Sequence, residues 1–135
     1  DGMPPEINLL NEKNNGQNVL RLIQDKLILS SHDISNGGLL VALSEMVLSS
    51  DFGIKIQKPK KLSNLFEYFF GEDQGRYVLE IDNKNLQKVE KKLKDNNIYY
   101  EFIGNTQKDY FEIEGEMKIT IKDLFKTNNK WYSNY

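Results

Sequence analysis

Apolar residues recur along this chain in short runs, and their spacing changes between a helical period of about 3.6 and a strand period of about 2. Val19, Leu20, Leu22 and Ile23 form the apolar stripe of a helix that begins in the Asn- and Lys-rich stretch after Asn8 and ends near Lys26. Leu27 to Ser31 is short and apolar, as a central strand is. The polar stretch His32-Asp33-Ile34-Ser35-Asn36-Gly37-Gly38 reads as a tight loop. Gly38 to Ser49 then reads as a helix whose Leu39, Leu40, Val41, Leu43, Met46, Val47 and Leu48 cover most of its circumference. Such a helix needs covering on several sides, which makes it a central packing element.

Asp51-Phe52-Gly53 ends that helix, and Ile54 to Gln57 reads as a strand with Ile54 and Ile56 on one face. Lys58-Pro59-Lys60-Lys61 is an exposed connector. Leu62 to Phe70 suggests a short aromatic-rich helix, and Gly71-Glu72-Asp73-Gln74-Gly75-Arg76 a second polar loop before a strand over Tyr77 to Ile81. Asp82 or Asn83 caps the next helix. Leu86, Val89 and Leu93 are its buried stripe, while Lys84, Lys88, Lys91, Lys92 and Lys94 face water. Ile98 to Ile103 alternates as a strand does, with Gly104 closing it. Phe111 and Ile113, then Met117, Ile119 and Ile121, predict a hairpin turning at Glu114-Gly115-Glu116. Leu124 to Tyr135 reads as a short helix docked back through Leu124, Phe125 and Trp131. Crossovers early and a hairpin late give an α+β fold, a layered α/β sandwich with a mixed sheet covered by helices.

The 135 residues fit a single domain with a real core. Residues 1–14 read as linker-like, and Asp1-Gly2-Met3-Pro4-Pro5-Glu6 carries neither a signal nor a transit pattern, which suggests a fragment of a longer chain. Hydrophobic residues at 39% and charged residues at 28% place it among soluble globular proteins. No apolar run approaches the roughly 20 residues of a membrane span. A net charge of −2 argues against nucleic acid as a partner, which needs a basic surplus on one face. Absent Cys excludes disulfides and thiolate chemistry and is compatible with a cytoplasmic location. The single His forms no His-rich metal cluster and, with no nucleophile motif around a Ser, no catalytic triad. There is no Walker loop, dinucleotide glycine fingerprint or metalloprotease helix.

Two polar loops remain as candidate chemistry. In the first, Asp33 is either a turn or helix cap beside a hydrogen-bonded His32, or a hard oxygen ligand for Mg²⁺. The backbone donors near Gly37 and Gly38, where a helix begins, can meet a phosphate. In the second, Glu72, Asp73 and Gln74 either bind a polar ligand or metal, or form a solvated turn with Arg76 paired to Glu72 or Asp73. The aromatics Tyr68, Phe69, Phe70, Tyr99 and Tyr100 read as core or interface, or else as base-stacking platforms.

Ser30-Ser31-His32-Asp33-Ile34-Ser35-Asn36-Gly37-Gly38-Leu39, with Val41-Ala42-Leu43-Ser44-Glu45-Met46, resembles the signature S-A-H-D-V-S-D-G-G-L-x-V-A-L-A-E-M of the phosphoribosylformylglycinamidine synthase family. Phe70-Gly71-Glu72-Asp73-Gln74-Gly75-Arg76-Tyr77, Ile103-Gly104 and Trp131 extend the resemblance over essentially the whole chain. Asn36 departs from the usual acidic residue, keeping its size and oxygen and losing the charge. The resemblance implies an aminoimidazole ribonucleotide (AIR) synthase C-terminal-domain-like fold. It also implies a parent ligase of purine synthesis that turns formylglycinamide ribonucleotide, ATP and glutamine-derived ammonia into formylglycinamidine ribonucleotide, ADP and phosphate. It implies Mg²⁺ and ATP as the parent's cofactors. Its partners would be the remaining domains, a separate glutaminase subunit and a small third subunit. By position, Asp33 matches an aspartate that holds Mg²⁺ in the family's first half, and Glu72, Asp73 and Gln74 match a substrate-contacting loop. His32, Ser35, Asn36, Gly37 and Gly38 complete the candidate ligand-binding set. This chain resembles the last domain of the second half, so no catalytic residue is expected in it and the isolated domain is expected to be inactive.

Overall fold

The computed structural model describes residues 7–59 and 64–130. The expected linker over Asp1–Glu6, the residues Lys60, Lys61 and Leu62, and the anchoring Trp131 lie outside them. The described residues divide into two compact units, those within 7–42 and 66–101 and those within 43–59, 64–65 and 102–130.

In the first unit, α1 (Leu9–Gln24) starts where the Asn8 side chain accepts a hydrogen bond from the Asn11 amide. Residues 9–14, which read both as linker-like and as the start of a helix, are the first turns of that helix. The helix ends at Lys26, whose φ is 54°. There the Leu27 amide donates to Leu22 O at 3.0 Å and the Lys26 amide to Ile23 O at 2.9 Å. These two bonds make a Schellman motif, which turns the next apolar residue back against the helix. The same device ends α4 (Asn83–Asp95), with Asn97 at φ 54° and the Ile98 amide donating to Leu93 O at 2.9 Å. Both caps deliver into one core, where buried Leu22, Leu27, Val89 and Leu93 are packed by Ile28, Leu79, Ile81, Ile98 and Tyr100. Asp82 caps α4 as expected, its side chain accepting from the Lys84 amide at 3.0 Å.

These caps shift two expected strands. Leu27 belongs to the end of α1, and β1 is Ser30–Asp33, which pairs antiparallel with β3 (Tyr77–Glu80) in a two-stranded sheet. Ile98 to Ile103 forms no strand; its apolar members Ile98 and Tyr100 pack on the helical core, and Tyr99 stands 87% exposed. Between β1 and β3 the chain runs through α2 (Gly38–Leu48), β2 (Gly53–Ile56) and α3 (Leu65–Phe70). In α2, Leu39, Ala42, Leu43 and Val47 are buried and Val41 is at its exposed edge.

The second unit holds a four-stranded mixed sheet in the order β4-β2-β5-β6. β2 is parallel to β5 (Tyr110–Ile113) and antiparallel to β4 (Gly104–Gln107). The predicted hairpin joins β5 to β6 (Met117–Thr120), with Ile113 opposite Met117. Ile56, Phe111 and Ile113 are its buried apolar centre. β4 is polar throughout. It is held at the edge by its ladder and by Gln107, whose amide donates to Ile54 O and Tyr110 O at 3.1 and 3.2 Å. Thr120 caps α5 (Ile121–Asn129), in which no residue is buried. Phe125 is 54% exposed, so the expected docking of this helix through Phe125 is absent. Among the described residues no helix is long and apolar enough to cross a membrane.

Candidate functional site

The pairing of β1 with β3 places the two polar loops side by side. Asp33 lies opposite Tyr77, and one further bond, from the Ile34 amide to Arg76 O at 2.9 Å, continues the ladder into the loops. His32 and Asp33 therefore sit on a strand, where a loop was expected, and their side chains leave it on opposite faces.

Gly38 opens α2 with φ +70°, and a Cβ there would lie 2.7 Å from the Phe70 carbonyl carbon and 2.8 Å from Phe69 O. The C-terminal end of α3 thus runs against the start of α2 at a distance only glycine allows. Glu72, two residues past α3, then reaches across: the Gly37 amide donates to its Oε1 at 2.7 Å. The Gly38 amide donates to Ser35 O at 3.0 Å. The donors expected to meet a phosphate are thus satisfied within the chain, by a carboxylate at the N-terminus of α2 where an anion is favoured. Asp73 takes the Arg76 guanidinium at 2.9 Å, so of the two pairings open for Arg76 the structure selects Asp73.

The loops enclose a cavity of ≈ 200 Å³. Asp33, Ser35 and Asn36 line it from one loop and Glu72, Gln74 and Arg76 from the other. Glu12 of α1 and Tyr77 of β3 complete its wall. α1 is tied to the second loop by the Asn15 side-chain amide, which donates to Gly75 O at 2.9 Å. His32, Gly37, Gly38 and Asp73 do not line the cavity. His32 Nδ1 lies 2.6 Å from the backbone oxygen of Asp33, and since a carbonyl only accepts, Nδ1 donates there.

Sequence reasoning gave Glu12 no place in the site, because its stretch carries no motif and read both as linker-like and as the start of a helix. The signal was the Asn8–Asn11 capping spacing, which starts the helix early enough to put Glu12 in its first turn. Tyr77 was assigned to the correct strand without a place in the site.

Three carboxylates, Glu12, Asp33 and Glu72, share the cavity with one guanidinium that Asp73 already engages. That balance favours a cation or a neutral polar group over a bare anion. Among the described residues no three His, Asp or Glu side chains converge closely enough to hold a metal ion. A self-contained metal cage is therefore absent from the described residues. The side chain of Asp33 is 66% exposed and offers one carboxylate. One carboxylate suffices for a hard cation only where waters and ligand oxygens fill its other positions.

Residues 2–115 match the family described as AIR synthase related protein, C-terminal domain. The phosphoribosylformylglycinamidine synthase subunit PurL of Pelagibacter ubique is 44% identical over all 135 residues, which span 18% of that protein's length. The crystal structure of phosphoribosylformylglycinamidine synthase II from Thermotoga maritima superposes with a TM-score of 0.75, covering 90% of this chain and 22% of that one at 15% identity. Thermotoga maritima PurL complexed with ATP gives a TM-score of 0.71 over 84% of this chain and 21% of that one, at 15% identity. At that identity the two structures establish a common fold.

Proposed function

We propose that this chain, which belongs to the family of AIR synthase related C-terminal domains, is the last domain of a phosphoribosylformylglycinamidine synthase. The observation that carries the reading is the 44% identity to a PurL subunit along the full 135 residues. The parent protein would convert formylglycinamide ribonucleotide, ATP and glutamine-derived ammonia into formylglycinamidine ribonucleotide, ADP and phosphate. In that reaction the amide oxygen attacks the γ-phosphorus and ADP leaves. Ammonia then adds to the activated carbon, and phosphate departs with the former amide oxygen. A separate glutaminase subunit would supply the ammonia and a small third subunit would complete the assembly, in the cytoplasm. The test is turnover: the full-length protein forms formylglycinamidine ribonucleotide, ADP and phosphate from formylglycinamide ribonucleotide, ammonia and Mg-ATP. The isolated 135 residues form none of these. Inactivity of the folded full-length protein, or turnover by the isolated domain, overturns the assignment.

Within this domain the cavity supports a site shared with other domains. Asp33 would hold Mg²⁺, and Ser35, Asn36 and Gln74 would orient a polar ligand through their neutral oxygens and amides. The three carboxylates repel a bare phosphate, so a phosphate-bearing ligand requires a metal ion between itself and Asp33. Calorimetry of the full-length protein with ADP tests this. Binding at this site should require Mg²⁺ and weaken by roughly tenfold or more in Asp33→Ala, the loss of about one charge-assisted contact. Unchanged binding in the variant removes Asp33 from the site. A purely structural domain is the second reading, favoured by the Glu72 carboxylate that already fills the N-terminus of α2.

A further inference from the structure

Asparagine followed by glycine occurs twice in the sequence, as Asn15–Gly16 and Asn36–Gly37. This dipeptide is the one most prone to spontaneous deamidation, because glycine carries no Cβ to hinder attack of its own backbone nitrogen on the preceding side chain. The two pairs stand in opposite settings. Asn15–Gly16 lies inside α1, where the helix ladder commits the Gly16 amide to the Glu12 carbonyl. The Asn15 side-chain amide is itself bound, donating to Gly75 O at 2.9 Å. Closing a ring between these two residues would break both arrangements. Asn36–Gly37 lies in the turn ahead of α2, and Asn36 is exposed on the wall of the polar cavity. Gly37 has φ +80°, and a Cβ there would lie 2.4 Å from Val41 Cγ2, so the fold itself demands glycine after Asn36.

We propose that Asn36–Gly37 is a self-modification site of this domain, at which Asn36 is converted to aspartate and isoaspartate under the restraint of the Glu72 carboxylate. In the first step the Gly37 nitrogen loses its proton and attacks Cγ of Asn36. The new N–Cγ bond closes a cyclic succinimide, and the Cγ–Nδ2 bond breaks, Nδ2 leaving with that proton as ammonia. Water then adds to either imide carbonyl. Opening at one gives aspartate; opening at the other gives isoaspartate, in which the main chain runs through the former side-chain carbon. Water is the only co-reactant, and the exposed position of Asn36 admits it.

Glu72 acts on the first step. The Gly37 amide donates to Glu72 Oε1 at 2.7 Å. A carboxylate acceptor holds the proton on the nitrogen that must lose it, and the bond has to open before that nitrogen can turn to Cγ. For an exposed bond to a carboxylate, this opening slows the reaction by roughly five- to tenfold. Gly16 has no such local release, since its amide is freed only when α1 itself opens. The product puts a further carboxylate on a cavity that Glu12, Asp33 and Glu72 already line. Deamidation therefore shifts the cavity further toward cations.

Peptide mapping of the full-length protein by mass spectrometry tests the site, after weeks of incubation at neutral pH and digestion under mildly acidic conditions that halt the reaction. Asn36 should gain the mass of an amide turned to an acid, with aspartate and isoaspartate peptides separating, roughly tenfold or more faster than Asn15. In the urea-unfolded chain the two pairs should react at similar rates. Glu72→Ala should speed the reaction at Asn36 by roughly five- to tenfold and leave Asn15 unchanged, while Glu72→Gln, which keeps an acceptor oxygen, should speed it less. An alanine variant that releases both pairs together has unfolded, and the glutamine variant then decides. Faster reaction at Asn36 alone supports the restraint, and an unchanged rate overturns it. An Asn36 that stays an amide while the unfolded chain reacts, or an Asn15 that keeps pace with it in the folded protein, overturns the site. The readout is a mass and needs no turnover, so it holds whatever reaction the parent protein catalyses.

Discussion

The approach of backbone to backbone at Gly38 makes a quantitative prediction. Gly38→Ala adds a methyl group at φ +70° and within 2.8 Å of the Phe69–Phe70 backbone. A side chain in the left-handed region costs about 1–2 kcal/mol. Forcing a methyl into occupied space adds about 1–3 kcal/mol, and here the obstacle is backbone that no rotamer change can clear. The sum, roughly 2–5 kcal/mol, is a large part of the 5–15 kcal/mol that holds a typical domain together. Gly115 provides the control, because its φ is +76° and a Cβ there would meet nothing within 4 Å. Gly115→Ala should therefore cost only the conformational share of about 1–2 kcal/mol. In urea unfolding followed by circular dichroism, with a slope of about 2 kcal/mol per molar, Gly38→Ala should lower the midpoint by roughly 1–2 M and Gly115→Ala by less than about 1 M. Equal midpoints for the two variants would refute the close packing of α3 against the start of α2. The variant should also loosen the neighbouring Gly37–Glu72 bond, which faster exchange of the Gly37 amide would report.

Three further outcomes follow from named contacts. Glu72→Ala should speed exchange of the Gly37 amide by roughly five- to tenfold, the equivalent of about 1 kcal/mol for an exposed hydrogen bond to a carboxylate, while Glu72→Gln, which keeps an acceptor oxygen, should lose less. Burial first, and then the Glu101 carboxylate 3.5 Å away, push the Tyr68 hydroxyl up to about 12. Because the folded chain holds this proton more tightly than the unfolded one, the contribution of Tyr68 to stability is complete below pH 10.0 and is lost as pH rises toward 12. In an NMR titration Glu101→Gln should lower the Tyr68 value only partway, and a full return to the ordinary value would mean that burial is not the main cause. The Lys92 ammonium, bonded at 2.9 Å, holds the Asp25 carboxyl below its ordinary range. Its stabilising effect is present at neutral pH and is lost as pH falls through that lowered value, and Lys92→Met should bring the carboxyl titration back up.

The sequence makes the elements legible wherever burial follows one simple period. α2, α4 and the β5–β6 hairpin stand where the apolar spacing places them, and Asp82 caps α4 as its type suggests. The misreadings share a cause. Leu27 and Ile98 each open an apolar run that looks like a strand, yet each is the residue that a Schellman motif folds back onto its own helix. A pattern of burial alone cannot distinguish those two uses of an apolar residue, because both end in the same core. The positive φ at Lys26 and Asn97 decides between them, and only Asn97 is a residue type that announces it. β4 was hidden for the opposite reason: Gly104-Asn105-Thr106-Gln107 has no apolar pattern, and its pairing with β2 is set by the ladder and by Gln107.

The same distinction governs the site. The two motifs were legible as polar loops next to glycines, and β1–β3 pairing does bring them together around one cavity. Their division of labour depends on distances of a few tenths of an ångström, which residue types do not encode. Gly37 and Gly38 looked like anion receptors; their amides are instead spent on Glu72 Oε1 and Ser35 O. Glu72 and Asp73 looked like a pair of ligands; one closes the N-terminus of α2 and the other holds Arg76. What remains facing the cavity with a carboxylate that no described backbone donor takes is Asp33 on β1 and Glu12 on α1.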